Sequence, residues 1–104
     1  MQNTENQPTV PPSQTIVLTR MRSFIRSHWH TTPQRISSVA RIHCVGAFLE
    51  FNFDVHQMAT FFGCSTRTIY RDIESVWFYS QQRFYRDLHQ QILAYLYHFT
   101  YFPK

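Results

Sequence analysis

Asp54-Val55-His56-Gln57-Met58-Ala59-Thr60-Phe61-Phe62-Gly63-Cys64-Ser65-Thr66-Arg67-Thr68-Ile69-Tyr70-Arg71-Asp72-Ile73-Glu74-Ser75-Val76 is the stretch on which the fold turns. It has the pattern of two short helices crossing steeply. Ala59 is the small residue such a crossing needs, and Gly63, four residues later, supplies the left-handed backbone of the turn. Met58 and Phe62 then face the core, and Cys64 plugs the turn. Asp54 and Ser65 are short oxygen-bearing side chains placed to cap the first and second helix. In the second helix, expected over about 65–78, Ile69, Ile73 and Val76 recur at i, i+4 and i+7, which predicts a buried stripe. Arg67 and Arg71 lie opposite, one turn apart, with Thr68 and Tyr70 on the flanks.

Upstream, Asn52-Phe53-Asp54 interrupts helical periodicity. Thr32 as a cap and Pro33 at a first helical turn predict a helix reaching about Phe51, with Ile42, Val45, Phe48 and Leu49 as its apolar face. Before the connection His28–Pro33, a helix is expected to start after Ser13, with Val17, Met21, Phe24, Ile25 and His28 on one face. Arg22 and Arg26 share a flank of this helix, and Arg20 lies on the other side. Residues 1–13 are polar, carry Pro8, Pro11 and Pro12, and predict a disordered tail ahead of one domain over 14–104.

Downstream, Trp77 to Lys104 contain no Gly, no Asn and no Pro before Pro103, so a tight β-hairpin has no turn residues to use. One more helix is expected over Gln81–Phe102. Phe84, Leu88, Ile92, Tyr95, Leu96, Phe99 and Phe102 form a wide stripe, with Leu93, Tyr97 and Tyr101 on the far side. A helix apolar on two sides can pack on its own domain with one and on a second chain with the other. This predicts a homodimer through Phe84, Leu88, Ile92, Tyr95, Leu96 and Phe99, unless the tyrosines simply keep wet hydroxyls at the surface.

Composition agrees with one helical domain. Ten Phe, six Tyr and two Trp in 104 residues exclude a chain too polar to build a core. Two glycines argue against a turn-rich β-sandwich and a Gly-cradled nucleotide site. The net charge of +4 is unevenly spread: no acid occurs from Asn6 to Leu49, where Arg20, Arg22, Arg26, Arg35 and Arg41 do. Such a half fits a polyanion or an anionic membrane surface, although a basic face can also be merely solvated. Two distant cysteines, Cys44 and Cys64, predict reduced thiols in a cytosol-like compartment. The polar start fits no signal peptide, and no apolar run reaches the roughly 18 residues of a membrane span.

Other chemistries are weaker. His28 and His30 are two apart and His43 adjoins Cys44, but neither has structural-zinc spacing, so no metal or cofactor is expected. Cys64 with His56 could form a nucleophile and base on paper, but the turn needs a small plug at Cys64. Few carboxylates are present and no pair marks acid–base chemistry. No catalytic residue, and no enzyme, is expected.

Ser65-Thr66-Arg67-Thr68 with Arg71 offers short donors and bidentate forks, the groups that contact phosphates and read guanine edges in a major groove. An amphipathic helix with a solvated polar face is the plainer alternative. The stretch resembles the helix-turn-helix of DeoR-type and related winged-helix regulators: Met58-Ala59, Gly63-Cys64-Ser65 and Thr68-Ile69-Tyr70-Arg71-Asp72-Ile73 match that pattern in order and spacing, and the resemblance spans residues 41–76. It implies that Ser65, Thr66, Arg67, Thr68 and Arg71 face double-stranded DNA, with Tyr70 near the phosphates. Unlike those regulators, this chain is expected to have no β-wing and no effector domain.

The expected fold is therefore an all-α helix-turn-helix bundle of four to five helices. The expected function is sequence-specific DNA binding by a small transcriptional regulator, cytoplasmic and associated with the nucleoid, with Arg20, Arg22, Arg26 and Arg41 on phosphates. The alternative is a helical protein–protein interaction module whose active surface is the aromatic C-terminal helix.

Overall fold

The computed structural model describes residues 10–98, and a side-chain cap opens each of the first four of its five α-helices. They are α1 (Gln14–Trp29), α2 (Ser38–Leu49), α3 (Val55–Phe62), α4 (Thr66–Tyr79) and α5 (Arg83–His98), with no strand among the described residues. The all-α bundle expected from the sequence is what forms. Most of the 1–13 tail lies outside the described residues, as do Phe99, Tyr101 and Phe102.

Ser13 caps α1 by accepting from the Ile16 amide at 3.2 Å. The helix ends on His30, whose left-handed backbone (φ 58°) returns its N–H to the Arg26 carbonyl. The helix expected from Pro33 starts later. Pro33–Arg35 forms only a 3₁₀ turn, Ile36 and Ser37 are extended, and Ser37 caps α2 through the Ala40 amide. Two cap-like signals stand five residues apart, and Thr32 makes no side-chain cap bond. At the end of α2, Asn52 (φ 63°) takes the left-handed position, and the Asn52 and Phe53 amides donate back to Leu49 and Phe48.

Phe48, with no exposed surface, is the centre of the core. The Phe53, Phe61 and Phe62 rings pack around it at centroid distances of 4.6, 5.0 and 5.9 Å. From α1 come Val17, Met21, Phe24 and Ile25, as the periodicity predicted, but His28 is exposed, stacking on Phe24 at 5.1 Å and meeting Trp29 edge-on at 4.8 Å.

Helix α5 begins two residues after the expected Gln81, behind a turn over 80–82. Its stripe faces inward: Ile92 and Leu96 are fully buried, and Leu88 and Tyr95 pack half-buried on the same core. Phe84 alone among the described members of the expected dimer face is exposed. Leu88, Ile92, Tyr95 and Leu96 thus pack within the chain's own core, which corrects the assignment of these four residues to an intermolecular surface. Tyr95 meets Phe24 edge-on at 5.2 Å and shares a 2.9 Å hydrogen bond with Ser23. Arg20 of α1 donates to the Leu96 carbonyl at 2.5 Å, placing a cation at the carbonyl-rich end of α5.

Candidate nucleic-acid interface

The α3–α4 corner is closed by hydrogen bonds at each step of its backbone. Asp54 and Gln57 form a reciprocal capping box, each amide donating to the other's side chain at 2.8 Å. The Gln57 amide group also donates to Gln14, and Gln14 donates to the Phe51 carbonyl, which ties the start of α1 to this corner. Gly63 ends α3 at φ 66°; its N–H donates to Thr60 and the Cys64 N–H to Ala59. That pair of bonds satisfies two carbonyls at the helix end. Ser65 then caps α4 through the Thr68 amide at 3.1 Å.

The expected motif residues fall where the packing requires. Met58, Ala59, Phe62 and Ile69 are buried, whereas Cys64, Ile73 and Val76 are half-buried against the core. Outward on α4, Arg67, Tyr70, Arg71 and Glu74 are exposed. Thr66 and Thr68 are half-exposed, and the Thr68 hydroxyl lies 3.1 Å from that of Ser65. Ser65 and Thr68 thus serve the cap while remaining at the surface.

Two residues expected near DNA have internal roles instead. The Arg41 guanidinium grips the Asp72 carboxylate with two bonds, of 2.5 and 3.2 Å, so this arginine links α2 to α4 and is not free for phosphate. Arg41 is held more firmly protonated than a free guanidinium, chiefly by its hydrogen bond to Asp72, which outweighs burial. Arg20 is engaged at the end of α5, as described above. Arg22 and Arg26 stay exposed on α1, with the Arg22 guanidinium 4.9 Å from the Phe61 ring centroid.

Sequestering Asp72 changes the charge pattern of α4. Asp72 is 4% exposed and neutralised by Arg41, so Arg67 and Arg71 stand outward without an acid beside them until Glu74. Among the described residues Arg41–Asp72 is an ion pair and His89 contacts Glu50 at 3.3 Å, and neither exposed arginine of α4 takes part in either. Sequence reasoning gave Asp72 no role beyond its place in the matched motif. The signal was its i, i+3 offset from Ile69, which puts it beside the buried stripe, but its partner is 31 residues away in the chain.

Continuing along the same outward face, Trp77 and Phe78 are 75% and 68% exposed, and Phe84 follows at 55% on α5. These rings, rather than the inward stripe of α5, are the aromatic surface.

Among the described residues no group of three or more His, Cys, Asp or Glu side chains could hold a metal ion. Burial raises the Cys64 thiol pKa, opposite to what a nucleophilic thiolate needs, and His56 is exposed. No described helix is long and apolar enough to cross a membrane. No family profile, curated protein or solved structure matches the chain.

Proposed function

We propose that this chain is a sequence-specific DNA-binding protein, a small regulator of the helix-turn-helix type that lays α4 in a major groove. The observation that carries the proposal is the one-sided charge of α4: Arg67 and Arg71 are exposed while Asp72 is buried against Arg41. Thr66 and Tyr70 are accessible on either side for base or phosphate contacts. Arg22, beside Phe61, offers a phosphate contact from α1. The DeoR-like order of Met58-Ala59, Gly63-Cys64-Ser65 and Thr68 to Ile73 supports the same conclusion. Under this proposal the chain works on the nucleoid, in the cytoplasm.

The test has two stages. Selection from random duplexes identifies a preferred site, and salt-titrated binding then compares wild type with Arg71→Ala. The substitution is expected to weaken the selected site by about 1–3 kcal/mol. Unchanged affinity for that site would remove α4 from the groove.

The exposure of Trp77, Phe78 and Phe84 favours a second proposal, a helical module that binds a protein partner through the α4–α5 corner. Absence of DNA binding at low salt, together with a stable hetero-complex lost in Trp77→Ala, would select it over the first.

A further inference from the structure

Six residues of α4 are exposed, Arg67, Tyr70, Arg71, Glu74, Trp77 and Phe78, and five of the six are arginine or aromatic. At about 100° per residue they fall within roughly 120° of the helix circumference, so they form one face. Along that face the two kinds of side chain separate. The arginines stand in the first half of the helix, one turn apart, and Trp77 and Phe78 lie in its last turn. From Arg67 to Phe78 the face runs about 16 Å, at about 1.5 Å per residue. Stacked bases of one strand are about 3.4 Å apart, so the face is about five bases long.

The two ends of this face suit different parts of a nucleic acid. Arginine takes phosphates and base edges, both of which a closed duplex presents. A ring gains by stacking on the face of a base, and in a closed duplex those faces are covered by the neighbouring bases. Both rings keep most of their surface in water and so have that area to offer. The surrounding charge favours a polyanion. No acid occurs among residues 10–49, and Arg22 and Arg26 stand exposed on α1, Arg22 beside Phe61 of α3. Glu74, the one acid on the α4 face, stands between the arginines and the rings, where it repels phosphate and confines backbone contact to the arginine end.

We propose that α4 binds DNA where a duplex opens into a single strand, with Arg67 and Arg71 on the last paired bases and Trp77 and Phe78 stacked on the first unpaired ones. This rests on α4 being the DNA-contacting helix and adds the form of DNA that it prefers.

Trp29 and Trp77 are the two tryptophans, so in a Trp29→Phe chain the fluorescence reports Trp77 alone. That full-length chain is titrated at about 50 mM salt, where phosphate contacts hold without sequence preference. The probes are a duplex of about 16 base pairs, the same duplex carrying about ten unpaired thymidines at its 3′ or at its 5′ end, and the thymidine strand alone. One of the overhang duplexes is expected to quench Trp77 saturably, and to bind at least about fivefold more tightly than the blunt duplex or the free strand. The blunt duplex should leave Trp77 unquenched. In anisotropy measurements on labelled DNA, the double variant Trp77→Ala with Phe78→Ala should bind the overhang duplex no better than the blunt one. It replaces exposed side chains and should keep the wild-type helix content in circular dichroism. Trp77→Phe preserves two rings and should retain most of the gain. The proposal is overturned if neither overhang duplex binds more tightly than the blunt duplex and the free strand, if Trp77 is not quenched, or if the double variant keeps the gain. Blunt duplex bound without any gain would remove only the preference for unpaired bases. No binding of any probe at this salt would remove the DNA reading of α4 as well and leave the rings to a protein partner.

Discussion

Between α3 and α4 the turn is closed by short-range bonds, the paired amides of Gly63 and Cys64 and the Ser65 cap, and the Asp54–Gln57 box closes the start of α3 in the same way. Across the seam of α2 and α5, His43 Nε2, the Tyr85 hydroxyl and His89 Nδ1 are buried without a hydrogen-bond partner among the described residues. The two regions share one core, but the corner closes through residues a few positions apart and the seam through rings about 40 residues apart, between His43 and Tyr85. Local closure satisfies backbone donors as the chain turns. Distant closure fits ring shapes first and leaves polar edges over. The seam is therefore where added atoms and changed protonation should be felt, while the corner depends on its brace to α2.

Cutting that brace should have the largest effect. Arg41→Ala strands the Asp72 carboxylate, 4% exposed, and is expected to cost about 3 kcal/mol in chemical denaturation. A loss under about 1 kcal/mol would mean that water reaches Asp72 and that the corner is self-sufficient. Next is the seam's closest approach. Gly46→Ala drives a methyl into the Tyr85 hydroxyl and should cost about 2 kcal/mol, because the ring is held on both faces. Adding Tyr85→Phe should return part of that loss in a double-mutant cycle; strict additivity would show that the two residues do not meet.

At the corner itself, Gly63→Ala should cost about 1 kcal/mol, since Gly63 sits at φ 66° where a Cβ is strained. That the loss is smaller than at Gly46 is itself a check, for the added Cβ meets only the flexible Gln34 side chain, at 3.2 Å. The smallest effect concerns pH. Burial lowers the His43 pKa against the opposing pull of the Val39 carbonyl, so the folded state resists protonation. As pH falls through about 6.5 the unfolded chain takes up the proton first, and stability must drop until the folded imidazole also titrates. The melting temperature should fall from about pH 7.5 to about pH 5.5, and His43→Leu should flatten the slope. An unchanged slope would assign the effect to another histidine.

The sequence showed the corner and hid the seam. Ala59, Gly63 and Ser65 declare a turn because the bonds they make reach only a few residues along the chain. The same local logic misled at Thr32-Pro33, a sound start signal that yields only a 3₁₀ turn because a second cap, Ser37, opens α2. Arg20 and Arg41 showed their charge in the sequence, but the groups they bind lie 76 and 31 residues away. The apolar stripe of α5 was visible too. Which surface it would cover was not, because periodicity gives a face and not its occupant.

The sequence by itself therefore determined the helical fold, the caps Ser13, Asp54 and Ser65 and the polar face of α4, all products of contacts within a few residues. Only the tertiary structure decided which arginines stay free, which rings remain outside and what Gly46 is for. Those outcomes depend on which distant side chains meet, and no local pattern encodes that meeting.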